Sequence, residues 1–396
     1  NVKFRNDRSR LKPPQVDAPP ATMSACASQG EACAVAGRSK KESLMSKDNK
    51  PKIGYACAYT PLVLLDAAGY APYRILPISD CPDRAGQLLH DNLCPHVKRI
   101  LDRAISRDLP DLAGMVLMNS CDAMRRLADA WRRVRPNDPM VLLDLPTTAD
   151  DAAVSYFAGE LSRLCDWLSE WGGHNITTYK LTASIKQYND LAPLFNRLRE
   201  RLRQGQLSGG SARMQTLHNT AMTAPFEESL AKLEQAVAEP PWESQQHDGI
   251  PVFLFGNVLS DPEALRLFES CGARIIEDDL CTGSRLFTPI EFDERQDGLA
   301  QIARSLLTRP PCARTFDPAQ PLKMAEDIRA RAQASGAHGV IGQTIKFCDP
   351  YLDRLPAVRE TLKQAGIPLL LLEGDCSLRS IEQQRTRIEA FIEMLD

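Results

Sequence analysis

The chemistry available to this sequence rests on its thiols. Twelve of the 396 residues are cysteine. Four of these, Cys57, Cys121, Cys281 and Cys348, follow short apolar runs of the kind that form buried strands. The clearest case is the stretch from 114 to 122. Met115 to Met118 is continuously apolar, the run stops at Asn119-Ser120, Cys121 and Asp122 follow, and a helical pattern begins. Two further cysteines stand beside prolines in loops, in Leu93-Cys94-Pro95 and in Pro310-Pro311-Cys312. The carboxyl ends of strands are where open α/β sheets bind ligands, and helix N-termini at those ends favour thiolates. Thiolates presented from such loops suit soft metals and iron–sulfur clusters. Cysteine is also a small apolar core residue, and no Cys-x-x-Cys pair of the zinc type occurs. The residues alone therefore leave ligation and packing both open for each strand-end thiol.

The remaining candidates are thinner. Cys165 lies on an apolar helical stripe and Cys271 beside Gly272 at a helix end, so both read as packing residues. Cys81 and Cys376 stay unassigned. The six histidines show no ligand spacing, and neither a GxSxG elbow nor a phosphate-binding GK[ST] loop is present. Asp278-Asp279 suits acid–base chemistry or, more commonly, capping, and Arg125-Arg126 suits an anion or a solvated helix face. A net charge of −3 gives no reason to expect nucleic acid as a partner. No apolar stretch approaches the roughly 20 residues that span a membrane. The N-terminus lacks the apolar core of a secretory signal, so the expectation is a cytoplasmic protein with reduced thiols.

The elements that must position these thiols alternate. Strands are expected at Lys52–Cys57, Tyr73–Leu76, Met115–Cys121 and Met140–Leu145, with helices between them. Thr60 is expected as N-cap of the first helix, ahead of Pro61. A second set is expected at Val252–Phe255, Arg274–Ile276, Gly339–Ile345 and Pro368–Leu372, ahead of a last helix carrying Ile388, Phe391, Ile392 and Leu395. Between the sets, Leu161, Leu164 and Leu168, then Leu191, Leu194, Phe195 and Leu198, recur at helical spacing. The Ser208-Gly209-Gly210-Ser211 stretch reads there as a mobile link. Residues 1–50, rich in Pro, Ser, Ala, Lys and Arg, read as a disordered leader holding Cys26 and Cys33, with Met45 as a suitable true start. The expected organisation is this leader, a first α/β domain at 51–150, a helical insert and linker at 151–248, and a second α/β domain at 249–396. The fold class is α/β: two Rossmann-like, doubly wound parallel sheets whose strand ends meet at one crevice.

Several stretches, in order, resemble the 2-hydroxyacyl-CoA dehydratase D-component family, which includes benzoyl-CoA reductase subunits and double-cubane cluster proteins. They are Gly54-Tyr55-Ala56-Cys57-Ala58-Tyr59-Thr60-Pro61, Asn92-Leu93-Cys94-Pro95, Asn119-Ser120-Cys121-Asp122, Asp278-Asp279-Leu280-Cys281-Thr282-Gly283-Ser284-Arg285, Pro311-Cys312, Lys346-Phe347-Cys348-Asp349-Pro350 and Leu372-Glu373-Gly374-Asp375. The resemblance covers about residues 51–396. It implies an iron–sulfur cluster between two α/β domains. In the dehydratase branch this is one [4Fe–4S] cluster on three cysteines, whose matching positions here are Cys94, Cys121 and Cys348. The six motif cysteines, Cys57, Cys94, Cys121, Cys281, Cys312 and Cys348, favour the double-cubane branch, with an [8Fe–9S] cluster in a homodimer. Both branches imply a separate ATP-hydrolysing [4Fe–4S] activator that delivers low-potential electrons. Cys376 stands where the family usually has serine or tyrosine and reads as an inert substitution. Three functions are thus expected: a reductase of a small substrate at a double cubane, a [4Fe–4S] subunit of a (R)-2-hydroxyacyl-CoA dehydratase or benzoyl-CoA reductase, or a non-catalytic electron-transfer protein.

Overall fold

In the computed structural model, residues 50–78, 83–242, 249–376 and 378–396 are described. The leader reading, with Cys26 and Cys33, lies outside them apart from residue 50, and so does Cys81. The first sheet holds β1 (Lys52–Tyr55), β2 (Ala71–Arg74), β3 (Leu112–Asn119) and β4 (Met140–Asp144). All its pairings are parallel, in the order β2-β1-β3-β4. The second holds β5 (Ile250–Gly256), β6 (Ala273–Asp279), β7 (Gly339–Ile345) and β8 (Leu369–Gly374), also parallel, in the equivalent order β6-β5-β7-β8. A parallel sheet covered on both faces needs continuous apolar runs, and Met115 to Met118 in β3 and all of β7 are buried.

The order of each sheet fixes a switch point, where the chain stops winding one way and starts winding the other. It falls between β1 and β3 in the first sheet and between β5 and β7 in the second. Helices α1 (Leu62–Ala67), α2 (Pro95–Ile105) and α3 (Asp122–Val134) cover the first sheet. The insert is a run of five helices, α4 (Asp151–Glu170), α5 (Thr178–Asn189), α6 (Leu191–Arg203), α7 (Gly210–Thr223) and α8 (Phe226–Ala238). Leu161, Leu164 and Leu168 of α4 join the first core, while Leu191, Phe195 and Leu198 of α6 build a separate one. The second sheet carries α9 (Pro262–Ser270), α11 (Lys323–Ser335), α12 (Asp349–Gln364), α13 (Leu378–Glu382) and α14 (Arg385–Leu395), whereas α10 (Gly298–Thr308) crosses back to pack on α4 in the first core.

Local structure departs from the sequence reading in four places. Strand β2, expected at Tyr73–Leu76, lies two residues earlier at Ala71–Arg74. Pro61, not Thr60, is the N-cap of α1, and the Thr60 hydroxyl is buried without a hydrogen-bond partner. The Ser208–Ser211 stretch is not a loose link. Gly209 takes a left-handed φ of 79° to start α7, and Glu269 of α9 accepts bonds from the backbone N–H and hydroxyl of Ser211 at 2.9 and 2.6 Å. Strand β6 runs on through Glu277-Asp278-Asp279, whose charges suggested an earlier end.

Candidate functional site

The six cysteines at strand ends and loops line one cleft between the carboxyl ends of the two sheets, with about 850 Å³ of free space counted out to its mouth. Cys57 follows β1 and Cys121 follows β3, so they flank the first switch point. Cys348 follows β7 at the second, and Cys281 follows β6. Cys94 reaches the cleft from the start of α2, and Cys312 from the connection between α10 and α11. All six are free thiols; Cys94 is buried and the others half-buried.

The six divide into two groups by surroundings. Cys94, Cys121 and Cys348 are the N-cap residues of α2, α3 and α12, and proline enters the first turn of α2 and α12. None of the three sulfurs makes a cap hydrogen bond to its helix, but the first-turn N–H groups, of His96 and Val97 at Cys94, of Met124 and Ala123 at Cys121 and of Tyr351 at Cys348, act to lower the thiol pKa values. Asn257, at the end of β5, adds an N–H bond to the Cys348 sulfur at 3.0 Å. Burial still pushes these thiols up, Cys94 to about 12 and Cys348 to about 11. The three also sense one another's charge, Cys94 with Cys348 and Cys121, and Cys348 with Cys121.

Cys57, Cys281 and Cys312 form the second group. Cys281 and Cys312 interact with one another, which lowers the Cys281 pKa and raises that of Cys312. Arg285 donates to the Cys281 sulfur at 3.5 Å. Burial raises Cys57, and the charge of Cys281 adds to this.

The residues that sequence reasoning missed are cationic. Arg74, Arg285, Arg309 and Arg314 line the cleft. Arg285 is locked to Asp279, with 2% and 1% of the two side chains exposed. Its Nε donates to Asp279 at 2.8 Å and an Nη to the Tyr351 hydroxyl at 3.0 Å. Asp279 also takes Arg331 at 2.9 Å. Burial pushes the Asp279 carboxyl up, but Arg285 and Arg331 more than offset it and hold it below its ordinary value. Asp278 caps the following turn, accepting from the backbone N–H groups of Leu280 and Ser284. The acid pair is thus structural: it shapes the turn that carries Cys281. Arg285 was legible in the Gly283-Ser284-Arg285 motif. For the other three arginines no local sequence signal exists.

The other readings resolve plainly. Arg125 donates to Asn119, and Arg126 pairs with Asp122 and Asp129 on an exposed face of α3. Cys165 packs against the first core, and Cys271 is buried in the second. Cys376 packs beside the α2–α3 core and does not line the cleft, although its charge is felt together with that of Cys94.

Among the described residues, no three His, Cys, Asp or Glu side chains converge on one point as a single metal ion requires. The six thiols line one cavity, with helix N-termini and guanidinium groups behind them. No helix among the described residues is long and apolar enough to cross a membrane.

Residues 57–395 match the family model described as 2-hydroxyglutaryl-CoA dehydratase, D-component. The (R)-phenyllactyl-CoA dehydratase beta subunit of Clostridium sporogenes is 23% identical over 353 residues, covering 89% of this chain and 93% of its own. A benzoyl-CoA reductase subunit of Thauera aromatica is 25% identical over 328 residues, 80% of this chain and 84% of its own. The (R)-2-hydroxyglutaryl-CoA dehydratase beta subunit of Acidaminococcus fermentans is 24% identical over 363 residues, 87% of this chain and 93% of its own.

Proposed function

This chain belongs to the 2-hydroxyglutaryl-CoA dehydratase D-component family, and from that premise we propose that it is an iron–sulfur reductase component. It accepts low-potential electrons from an ATP-hydrolysing [4Fe–4S] activator and reduces a small substrate at a double-cubane [8Fe–9S] cluster, as a cytoplasmic homodimer. The observation that carries this reading is the single cleft lined by Cys57, Cys94, Cys121, Cys281, Cys312 and Cys348.

The division into two groups of three supports two linked cubanes. Cys94, Cys121 and Cys348 would hold one and Cys57, Cys281 and Cys312 the other. Cys348 and Cys281 are the members whose charges are felt across the gap. When bound, the cluster supplies a low-potential one-electron centre. The chain's own residues prepare the cleft for it. Each buried thiol must lose its proton to ligate, and the first-turn N–H groups of α2, α3 and α12 stabilise the thiolates that result. Arg285, held by Asp279, does the same at Cys281. No carboxylate lines the cleft among the described residues, so no acidic side chain there adds to the burial and mutual repulsion that already oppose the thiolates' charge.

A second reading is a [4Fe–4S] subunit of a dehydratase or reductase acting on CoA esters. The names of the relatives favour it, and so does the placing of Cys94, Cys121 and Cys348, all three of them helix N-caps.

Iron and acid-labile sulfide analysis of anaerobically purified protein separates the two. The double cubane predicts about eight irons per chain, while about four indicate the single cubane. Protein with none would remove both.

A further inference from the structure

A second recess lies apart from the thiol cleft and shares no lining residue with it. It sits between the first sheet and the helical insert. Residues of β1, α1 and β2 border one side and residues of α5, α7 and the start of α8 the other, around about 740 Å³ of free space counted out to its mouth. A recess with apolar walls and a few polar groups is the form that small-molecule sites take.

Three aromatic rings line it. Tyr188 and Phe226 stand with centroids 5.5 Å apart, and Tyr55 joins them. Tyr55 is 1% exposed, and its hydroxyl is buried without a partner. Such a group is ordinarily bonded. The recess already receives one ammonium group. Lys50 Nζ sits 2.7 Å from the Asp66 carboxylate, whose other oxygen accepts from the Ser184 hydroxyl. That ion pair is neutral as a unit. Glu227, in the first turn of α8, also lines the recess and forms no ion pair among the described residues. Lys52 does not answer it. Lys52 and Tyr55 stand three residues apart in β1, so their side chains leave opposite faces of the sheet. The Lys52 ammonium lies instead over the Tyr73 ring, 5.6 Å from its centroid. The recess is thus short of one positive charge, with aromatic faces beside it.

We propose that this recess is a second binding site, for a small organic ammonium ion with an apolar body. The ammonium pairs with Glu227 and is attracted to the ring faces of Tyr188 and Phe226, and one of its N–H groups donates to the Tyr55 hydroxyl oxygen. The apolar body lies against Leu62 and Pro72. The site is independent of the iron–sulfur reading, because no residue belongs to both.

Isothermal titration calorimetry of the full-length protein with phenethylamine, phenethyl alcohol and phenylacetate tests it. The three match in size and differ in charge. The amine should bind once per chain, about tenfold more tightly than the alcohol, and phenylacetate should not bind. Glu227→Gln, at an exposed position, should weaken the amine about threefold and leave the alcohol unchanged. Tyr55→Phe removes a hydroxyl that holds no bond in the fold. It should weaken the amine about fivefold at an unchanged urea midpoint. Should Tyr55→Phe not fold, the Glu227→Gln comparison still decides. The proposal is overturned if the amine does not bind at up to about 10 mM, or if the alcohol or phenylacetate binds as tightly as the amine. Amine binding that neither substitution weakens overturns it as well. Protein without iron serves equally, so an iron content of zero removes the reductase reading and leaves this site standing.

Discussion

Replacing Asp279 by asparagine tests whether the cleft is built on a desolvated ion pair. Asp279 and Arg285 are 1% and 2% exposed, so neither charge is screened by water. Removing one partner of such a pair costs about 3–5 kcal/mol, mostly because the other charge stays buried alone. The lower end applies here. Arg331 keeps Glu277 at 2.9 Å, and Arg285 keeps the Tyr351 hydroxyl. The expected loss is therefore about 3 kcal/mol, or a urea midpoint roughly 1 M lower at a slope of about 3 kcal/mol per molar. The pH dependence has a definite sign. Asp279 has a folded pKa below its unfolded one. Its contribution is complete above the unfolded value of about 3.9 and is lost as pH falls through the folded value. The gap between wild type and Asp279→Asn should thus be constant from neutral pH down to about 5 and shrink only below about 4. Adding Arg285→Met should recover part of the loss, since an apolar replacement of a whole buried pair is often neutral. Urea unfolding of anaerobic protein, followed by the fluorescence of buried Trp131, reads all three. A single-variant loss below about 0.5 kcal/mol, within the range of ordinary surface substitutions, would refute the reasoning.

Gly283→Ala places a Cβ 2.1 Å from the Asp278 carboxylate oxygen. It should cost about 2–3 kcal/mol by pulling that cap off Leu280 and Ser284, and urea midpoints check it. His218 is buried in α7, stacked on Phe195 with centroids 4.4 Å apart, and burial, then Arg199, lowers its pKa to about 3. Its stability contribution is complete above about 6.5 and is lost as pH falls toward 3. Wild type should therefore lose about 2 kcal/mol between pH 7 and pH 5 through this residue. His218→Gln should remove that slope; parallel pH profiles for the two proteins would contradict it. Glu269→Ala, by freeing Ser211, should speed amide exchange at the start of α7 and cost about 1–2 kcal/mol; unchanged exchange at residues 210–213 would count against the observed anchoring.

Much of the architecture was legible because parallel strands buried on both faces need continuous apolar runs, as Met115–Met118 and Gly339–Ile345 show. Cys121 could be placed at a strand end for the same reason. Strand β6 was underestimated because Glu277 and Asp279 look like surface charges in sequence. They are buried only because Arg203, Arg285 and Arg331 arrive to pair with them. The Ser208–Ser211 stretch looked mobile because Glu269, which anchors it, lies 58 residues away. Arg74 was invisible as a cleft residue for a stronger version of that reason. It meets Cys281 across 207 residues, and no local pattern encodes such an encounter. Charge placement in this site is a tertiary property, whereas thiol placement at strand ends is a secondary one.

The most direct measurement is anomalous scattering at the iron edge from crystals grown without oxygen. The account predicts two four-iron units in the cleft, one against Cys94, Cys121 and Cys348 and the other against Cys57, Cys281 and Cys312. A cleft in which these six thiols contact no iron would contradict it.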